Sequence, residues 1–529
     1  MARDSLSRRD LLRGAALLTA AGGLSVVLPG TAWAARDYTS RATFDALDQA
    51  FNNGNGRKDE LNENRGALAW DEAYFMQAYL MMYQAYRDRY YLDKAIDHID
   101  HVLANRDSER GVTVWTGRSE PAWRAGTPYS AGQAVLRDAD GKPVLRITTT
   151  SGNGSDLRVS VEPGTTSGTF RIVTSLTGSS GSRVFDSHDN LVMDRSSANH
   201  PTRRMEAVFA NSTNETRCTA EDLRPADAGV GPAPAYGNFT GYNEFFHTAV
   251  HTGQIAYPIA KCARLIIRDP ELWADSYYRA KAEEYFAAAE AAARVHDREY
   301  NVNADGEGYY RHPKGDPVAL DNIGLPHNYN TSMARVWIEL YRARNIPEHG
   351  TRATQLLTTW HNDLELASDG TAPFHYYWTR GYGYTGWSTS AQVSLHTPSS
   401  PGNKRYEDIG HAYLSITAAY EAREMRMVVT NDTMRRLANT FNRRILYTAA
   451  DGKPSAHRYV NGTDPGDLSP SLRLTNELIS AAWLGIYPYD PEKRMLNGVL
   501  NIYNALGDLE PSTLLIHGTA WLNWAARQG

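Results

Sequence analysis

The sequence predicts a mainly α fold: an (α/α)6 or (α/α)7 toroid of helical hairpins with a β-rich insertion. Three observations carry this reading. Segments that are apolar and aromatic nearly all round alternate with amphipathic ones. Three of the apolar segments share an ending, Tyr83-Gln84-Ala85, Tyr341-Arg342-Ala343 and Tyr420-Glu421-Ala422. One stretch, about residues 112–235, abandons helical periodicity.

In chain order, residues 1–34 read as a leader. Ser7-Arg8-Arg9-Asp10 precedes an apolar run and Ala32-Trp33-Ala34 precedes Ala35, the charged, apolar and small-residue regions of an export signal. The paired Arg after Ser resembles the twin-arginine signal, so a secreted, extracellular mature protein is expected. An N-terminal anchor is the bland alternative, weakened by Gly22-Gly23 and Pro29. No later stretch reaches the roughly 20 apolar residues of a stable membrane span.

A helix near residues 42–52 is expected to pair with the last one. Residues 70–87 read as an inner helix, buried on all sides. Leu92, Ala95, Ile96, Ile99, Val102 and Leu103 recur at three- and four-residue steps, one face of an amphipathic outer helix. The stretch 112–235 is rich in Gly, Ser and Thr and carries strand-like runs such as Val144–Thr148 and Thr169–Val173. Further helical pairs follow at about 243–267 with 270–296, at the run closed by Tyr341 with 351–367, and at the run closed by Tyr420 with 432–446. Helices near 471–483, 491–506 and 511–526 complete the set. The toroid domain is thus residues 35–111 and 236–529, with 112–235 inserted.

Composition narrows the function classes. Hydrophobic residues make up 42% and charged residues 22%, as in an ordinary globular chain. Residues 1–34 hold four Arg and two Asp, so removing them takes the formal charge from −5 to −7. No basic run or stripe exists for nucleic acid. Cys218 and Cys262 are the only cysteines; a disulfide between them is left open, and two lone cysteines without matching His spacing do not make a metal site.

Polar and aromatic residues crowd into four clusters: Asn64–Glu72, Asn243–Gly253, Pro326–Asn330, and His375–Arg380 with Arg405–His411. Tyr, Trp, His, Asn and Arg together suit carbohydrate, because aromatic faces stack on sugar rings and guanidinium groups bind carboxylates. Each candidate also has a structural reading. His251 opens an apolar helix and could be a satisfied core residue. Asn330 could cap its helix. Glu407 and Asp408 could serve the helix dipole, which leaves His411, three residues after Asp408 and on the same face, unexplained.

Trp70-Asp71-Glu72-Ala73-Tyr74, Val250-His251-Thr252-Gly253, Asn328-Tyr329-Asn330 and Glu407-Asp408-Ile409-Gly410-His411 resemble helical-toroid polysaccharide lyases of the glucuronan and alginate lyase kind. The resemblance spans most of the helical part and none of the insertion. It implies β-elimination on a uronic-acid-containing polysaccharide, with no cofactor and no metal; a structural or substrate-bridging calcium stays open. That reaction needs the uronate carboxylate neutralised, a base for the C5 proton and an acid for the departing O4. The resemblance assigns Asn330 and His251 as neutralisers or base, His411 as base or orienting group, and Tyr377 or Tyr376 as acid. Arg380 would hold a neighbouring carboxylate and Trp70 and Trp378 would stack, with Glu72 and Glu407 as further substrate contacts. The family's Asn–Asn–His motif is broken here, since Thr331 follows Asn330. A glycoside hydrolase pairing Asp71 or Glu72 with Glu407 or Asp408 is the first alternative. Uronate C5-epimerisation is a close relative of the lyase reading, and a glycan-binding protein without catalysis is the other alternative.

Overall fold

The computed structural model describes residues 36–125, 132–149, 157–178, 181–205, 218–318, 320–397, 399–466 and 468–528. The expected leader, residues 1–34, lies outside them. The described residues are mainly helical, with small antiparallel sheets.

Short turns aside, the helices are α1 (Arg41–Ala50), α2 (Ala73–Tyr86), α3 (Arg89–Ala104), α4 (Ala249–Ile267), α5 (Ser276–Arg294) and α6 (His327–Arg344). They continue with α7 (Pro347–Asn362), α8 (Ile409–Glu424), α9 (Asn431–Thr440), α10 (Pro470–Ile479), α11 (Met495–Leu506) and α12 (Thr513–Ala525). Local chemistry sets their ends. Arg87 ends α2 in the left-handed conformation, and Asp88 caps α3 by accepting from the Tyr90 N–H. Asp275 caps α5 in the same way and breaks the single helix expected over 270–296 into two. The expected helix at 471–483 stops at Ile479 and continues as a 3-10 segment, Ser480–Tyr489.

The two helix types predicted by patterning are both present. In α4 every residue from Ala249 to Ile266 is buried, whereas α3 buries one face through Leu92, Ala95, Ile96, Ile99, Val102 and Leu103. The inner-type elements touch in a closed succession: α2 on α4, α4 on α6, α6 on α8, α8 on Ser480–Tyr489, that segment on α12, and α12 on α2. Each carries an outer helix in the order α3, α5, α7, α9, α11 and α1. The chain ends meet where expected. α1 packs on α12, and Asn523 Nδ2 donates to the Tyr38 carbonyl at 3.1 Å. No helix of the described residues is long and apolar enough to cross a membrane.

The strands of the inserted stretch form two four-stranded antiparallel sheets. β1 (Gly132–Arg137), β2 (Pro143–Thr149), β6 (Cys218–Asp222) and β8 (Tyr242–Asn243) make one, in the order β6-β2-β1-β8. β3 (Leu157–Pro163), β4 (Phe170–Gly178), β5 (Gly181–Leu191) and β7 (Gly237–Thr240) make the other, in the order β5-β4-β3-β7. Both bury one shared apolar cluster that includes Leu145, Ile147, Val159 and Ile172. Two boundaries differ from expectation. The strands run to Asn243, past 235, and Ala122 and Trp123 belong to the helical core instead. The cysteines are free: Cys218 sits in the β core and Cys262 in the helical core. Two short hairpins, β9 (Tyr300–Val302) with β10 (Gly308–Tyr310) and β11 (Leu446–Thr448) with β12 (Pro454–Ala456), connect helices.

Candidate functional site

Leading into α2, one turn of π-helix spans Leu68–Glu72 and includes Trp70, a local distortion of the kind that often re-aims a side chain at functional sites. The preceding Gly66 has φ +76°, and a Cβ there would lie 2.8 Å from both His251 Cε1 and Trp70 Cδ1. Only glycine fits that approach. Trp70 Nε1 donates to His251 Nε2 at 2.9 Å, and the indole stands edge-on to His251 and His411, with ring centres 5.9 and 5.7 Å away. Residues far apart in the chain thus meet where α2, α4 and α8 begin.

An indole N–H only donates, so His251 Nε2 is an acceptor, and the Asn62 amide nitrogen lies 3.2 Å from Nδ1. Burial pushes the His251 imidazole down to about 3, so it is neutral. Its role here is to fix Trp70.

At the start of α8, Asp408 accepts from the His411 backbone N–H at 3.1 Å and pairs with His411 Nδ1 at 2.7 Å. The Arg458 guanidinium stands 3.6 Å from the same carboxylate. Arg458 and His411 together overcome burial and hold the Asp408 carboxyl far below the usual carboxylate range. The carboxylate fixes the His411 ring, and no described residue bonds its Nε2. Glu407 is the reverse case. Both its oxygens are sealed without a hydrogen-bond partner, and burial, reinforced by Asp408, raises its carboxyl well above the usual range. It lies sealed inside the wall.

Tyr376 stands edge-on to His411 at 6.1 Å and to Tyr377 at 4.9 Å, and the Arg405 guanidinium lies 4.5 Å from the Tyr376 ring centre. Burial raises both phenols. Tyr377 is pushed up to about 12, with Arg405 opposing, and Tyr376 goes well above its ordinary value. The Tyr377 ring is seated against Gly383, where a Cβ would come within 2.4 Å of Cδ1. No described residue hydrogen-bonds its hydroxyl.

The remaining expected residues lie elsewhere. Asn330 is held by backbone atoms. Its carbonyl oxygen accepts from the Tyr310 N–H at 2.8 Å and its amide donates to the Leu325 and Pro326 carbonyls, so it fastens β10 and the loop before α6, and neither caps nor faces a ligand. Glu72 is fully buried between layers, 2.5 Å from His98 Nδ1 on α3 and 2.6 Å from the Arg57 N–H. Asp71, by contrast, is only partly buried and accepts from Thr513 Oγ1 at 2.9 Å. Arg380 pairs with Glu307 and Asp305 on the β9–β10 connection, and Trp378 packs against Tyr309 at 5.3 Å. Arg380 is therefore held by protein carboxylates.

Asn62, Arg405 and Arg458 are site residues that sequence reasoning did not single out. Arg405 borders the Glu407–His411 run and was within reach. Arg458 arrives only because Asp408 and Tyr459 form a β-bridge, which no local pattern signals. Among the described residues, Glu407, Asp408 and His411 form the one trio of carboxylate and imidazole donors lying within 4.8 Å of one another. Arg405 and Arg458 already supply positive charge to these carboxylates, and a cation would have to displace the Asp408–His411 bond.

No family model and no curated protein matches the chain. Among solved structures, a family 76 glycoside hydrolase from a bovine Bacteroides thetaiotaomicron strain is similar at a TM-score of 0.30 and 9% identity, covering 76% of this chain and 99% of its own. At that distance it fixes no residue of the site.

Proposed function

We propose that the chain is a secreted polysaccharide lyase that cleaves a uronic-acid-containing glycan by β-elimination, on an (α/α)6 toroid. The observation that carries this reading is the Asp408–His411 dyad, its Nε2 unbonded, beside Tyr376, on which Tyr377 packs. His411 removes the C5 proton through Nε2, while ionised Asp408 holds the ring and stabilises the imidazolium that forms. Tyr377, protonated at neutral pH because its phenol is pushed up to about 12, donates to the departing O4. Arg405 takes over the carboxylate-neutralising role first assigned to Asn330, and Trp70, braced by His251, stacks on a sugar ring. Export through a twin-arginine leader, and chemistry that needs no cofactor, belong to the same proposal.

The carboxylates argue against the hydrolase alternative. Of the four acids it could use, Glu72 is engaged by His98, Asp408 by His411 and Arg458, and Glu407 is sealed. Only Asp71 keeps access, and a hydrolase needs two carboxyl groups across the cleft. Incubation with glucuronan, alginate and related polyuronates tests the proposal. Ultraviolet-absorbing unsaturated ends are expected; new reducing ends without that absorbance would overturn it in favour of hydrolysis. Glu407→Gln, nearly isosteric with a protonated carboxyl, is expected to keep turnover within about tenfold, whereas an acid used in hydrolysis would cost roughly 10²–10⁴-fold.

A further inference from the structure

A second concave site shares no residue with the one above. An open concavity lies between the loop Val114–Glu120, the lead-in to α4 at Phe246 and His247, and the connections after α5 up to Val318.

Its polar groups are fixed before any ligand arrives. Glu299 is buried and bridges two imidazoles, 2.8 Å from His296 Nδ1 and 3.4 Å from His312 Nδ1. His296 is anchored in turn on Thr252 Oγ1 at 2.9 Å, so the chain of contacts ends on α4. His312 lines the pocket, and no described residue bonds its Nε2. Arg298 is held by Asp316 at 2.8 Å, and His247 by Asp107 at 3.0 Å. Trp115, half-buried, is fixed by its backbone N–H on the Phe245 carbonyl at 2.9 Å and lies 5.4 Å from the Arg298 guanidinium. The ionised groups are matched in pairs, so the pocket has no excess of one sign to select a bare ion. It offers an indole wall and rigid donors and acceptors, which suits a ligand that is apolar on one face and rich in hydroxyls at its edge.

We infer that this pocket is a second saccharide subsite, taking one sugar unit of the glycan against Trp115, with His312 Nε2 and Arg298 on its hydroxyls. The inference rests on the glycan-directed reading above but assigns binding to residues which that reading does not use. A chain held here would be anchored away from the Asp408–His411 dyad and released more slowly after cleavage.

Saturation-transfer NMR with methyl β-D-glucopyranoside and D-glucuronate tests it on the mature protein and on Trp115→Ala, His312→Gln and His411→Ala. Transfer to at least one sugar is expected in the wild type. The affinity should weaken at least tenfold in Trp115→Ala and in His312→Gln, while His411→Ala keeps it. The conservative His312→Gln answers the question should Trp115→Ala fail to fold. Transfer undiminished in both pocket variants, or lost only in His411→Ala, would overturn the subsite. No transfer to wild type would also overturn it, even if polyuronates yield unsaturated ends and the lyase reading stands. Transfer lost in the pocket variants, with no product from any polyuronate, would sustain the subsite and remove the lyase reading instead.

Discussion

At the residue scale, Asp408 and Tyr377 sit in environments that push their protonation states apart. Asp408 stays anionic because Arg458 and His411 surround it, while Tyr377 stays protonated because burial disfavours the phenolate. Tyr377→Phe keeps the ring seated against Gly383 and removes only the proton donor. A fall in kcat of roughly 10²–10⁴-fold is expected with the far-ultraviolet circular dichroism unchanged; full turnover would take Tyr377 out of the mechanism. Asp408→Asn replaces an acceptor that fixes the His411 proton on Nδ1 with an amide able to donate there, favouring the wrong tautomer. Its kcat is expected to drop about a hundredfold or more, with KM nearly unchanged. Because Arg405 and Arg458 supply the positive charge at these carboxylates, dialysis against EDTA should leave the rate of double-bond formation as it was. Loss of rate restored by calcium would instead place a cation among Glu407, Asp408 and His411.

At the element scale, the π turn before α2 decides which way Trp70 and Glu72 face. Trp70 turns to His251 and His411, while Glu72 turns outward to His98 and ties the inner helix to α3. His98→Ala leaves Glu72 buried without its partner, and breaking such a pair is worth about 3–5 kcal/mol. A lower urea midpoint with kcat intact is therefore expected; a lost kcat at unchanged stability would return Glu72 to the site. This same turn marks where sequence reading reached its limit. Periodicity was enough for α3, since Leu92 to Leu103 recur at helical spacing, and capping chemistry was enough to put Asp408 and His411 on one face. Neither signal shows which way Glu72 points, because a one-residue π insertion alters side-chain direction without altering the apolar pattern. Asn330 looked available because its partners, the Tyr310 N–H and the Leu325 and Pro326 carbonyls, are backbone atoms and have no residue signature. The β-rich insertion was legible from its composition, but its edges were not, since Ala122 and Trp123 are apolar enough for either core.

At the scale of the whole molecule, the closed succession of inner helices creates an interior where polar groups from several helices must satisfy one another. Towards the helix C-termini, Lys261, Arg264, Glu339, Arg342 and Glu421 form one ion-pair network joining α4, α6 and α8. Nearer the site, His517 of α12 packs on Tyr74 of α2 and Tyr413 of α8, with ring centres 4.8 and 6.1 Å away. Burial depresses it to about 3, as it does His251, so both are neutral in the folded protein. The sign of the linkage follows. Between pH about 6.5 and 3 the unfolded chain binds protons at these positions and the folded chain does not, so their contribution is present above pH about 6.5 and is lost as pH falls. Each histidine accounts for on the order of 5 kcal/mol across that window. Glu407 works the other way, because its carboxyl is raised and its contribution fades as pH rises. A variant therefore has to isolate the imidazole. Urea midpoints at pH 7.5 and 4.5 should fall markedly for the wild type and fall less for His517→Gln, whatever that substitution does to the midpoint at pH 7.5. An equal fall in both would mean that His517 takes up its proton within the fold, through an opening between α2, α8 and α12.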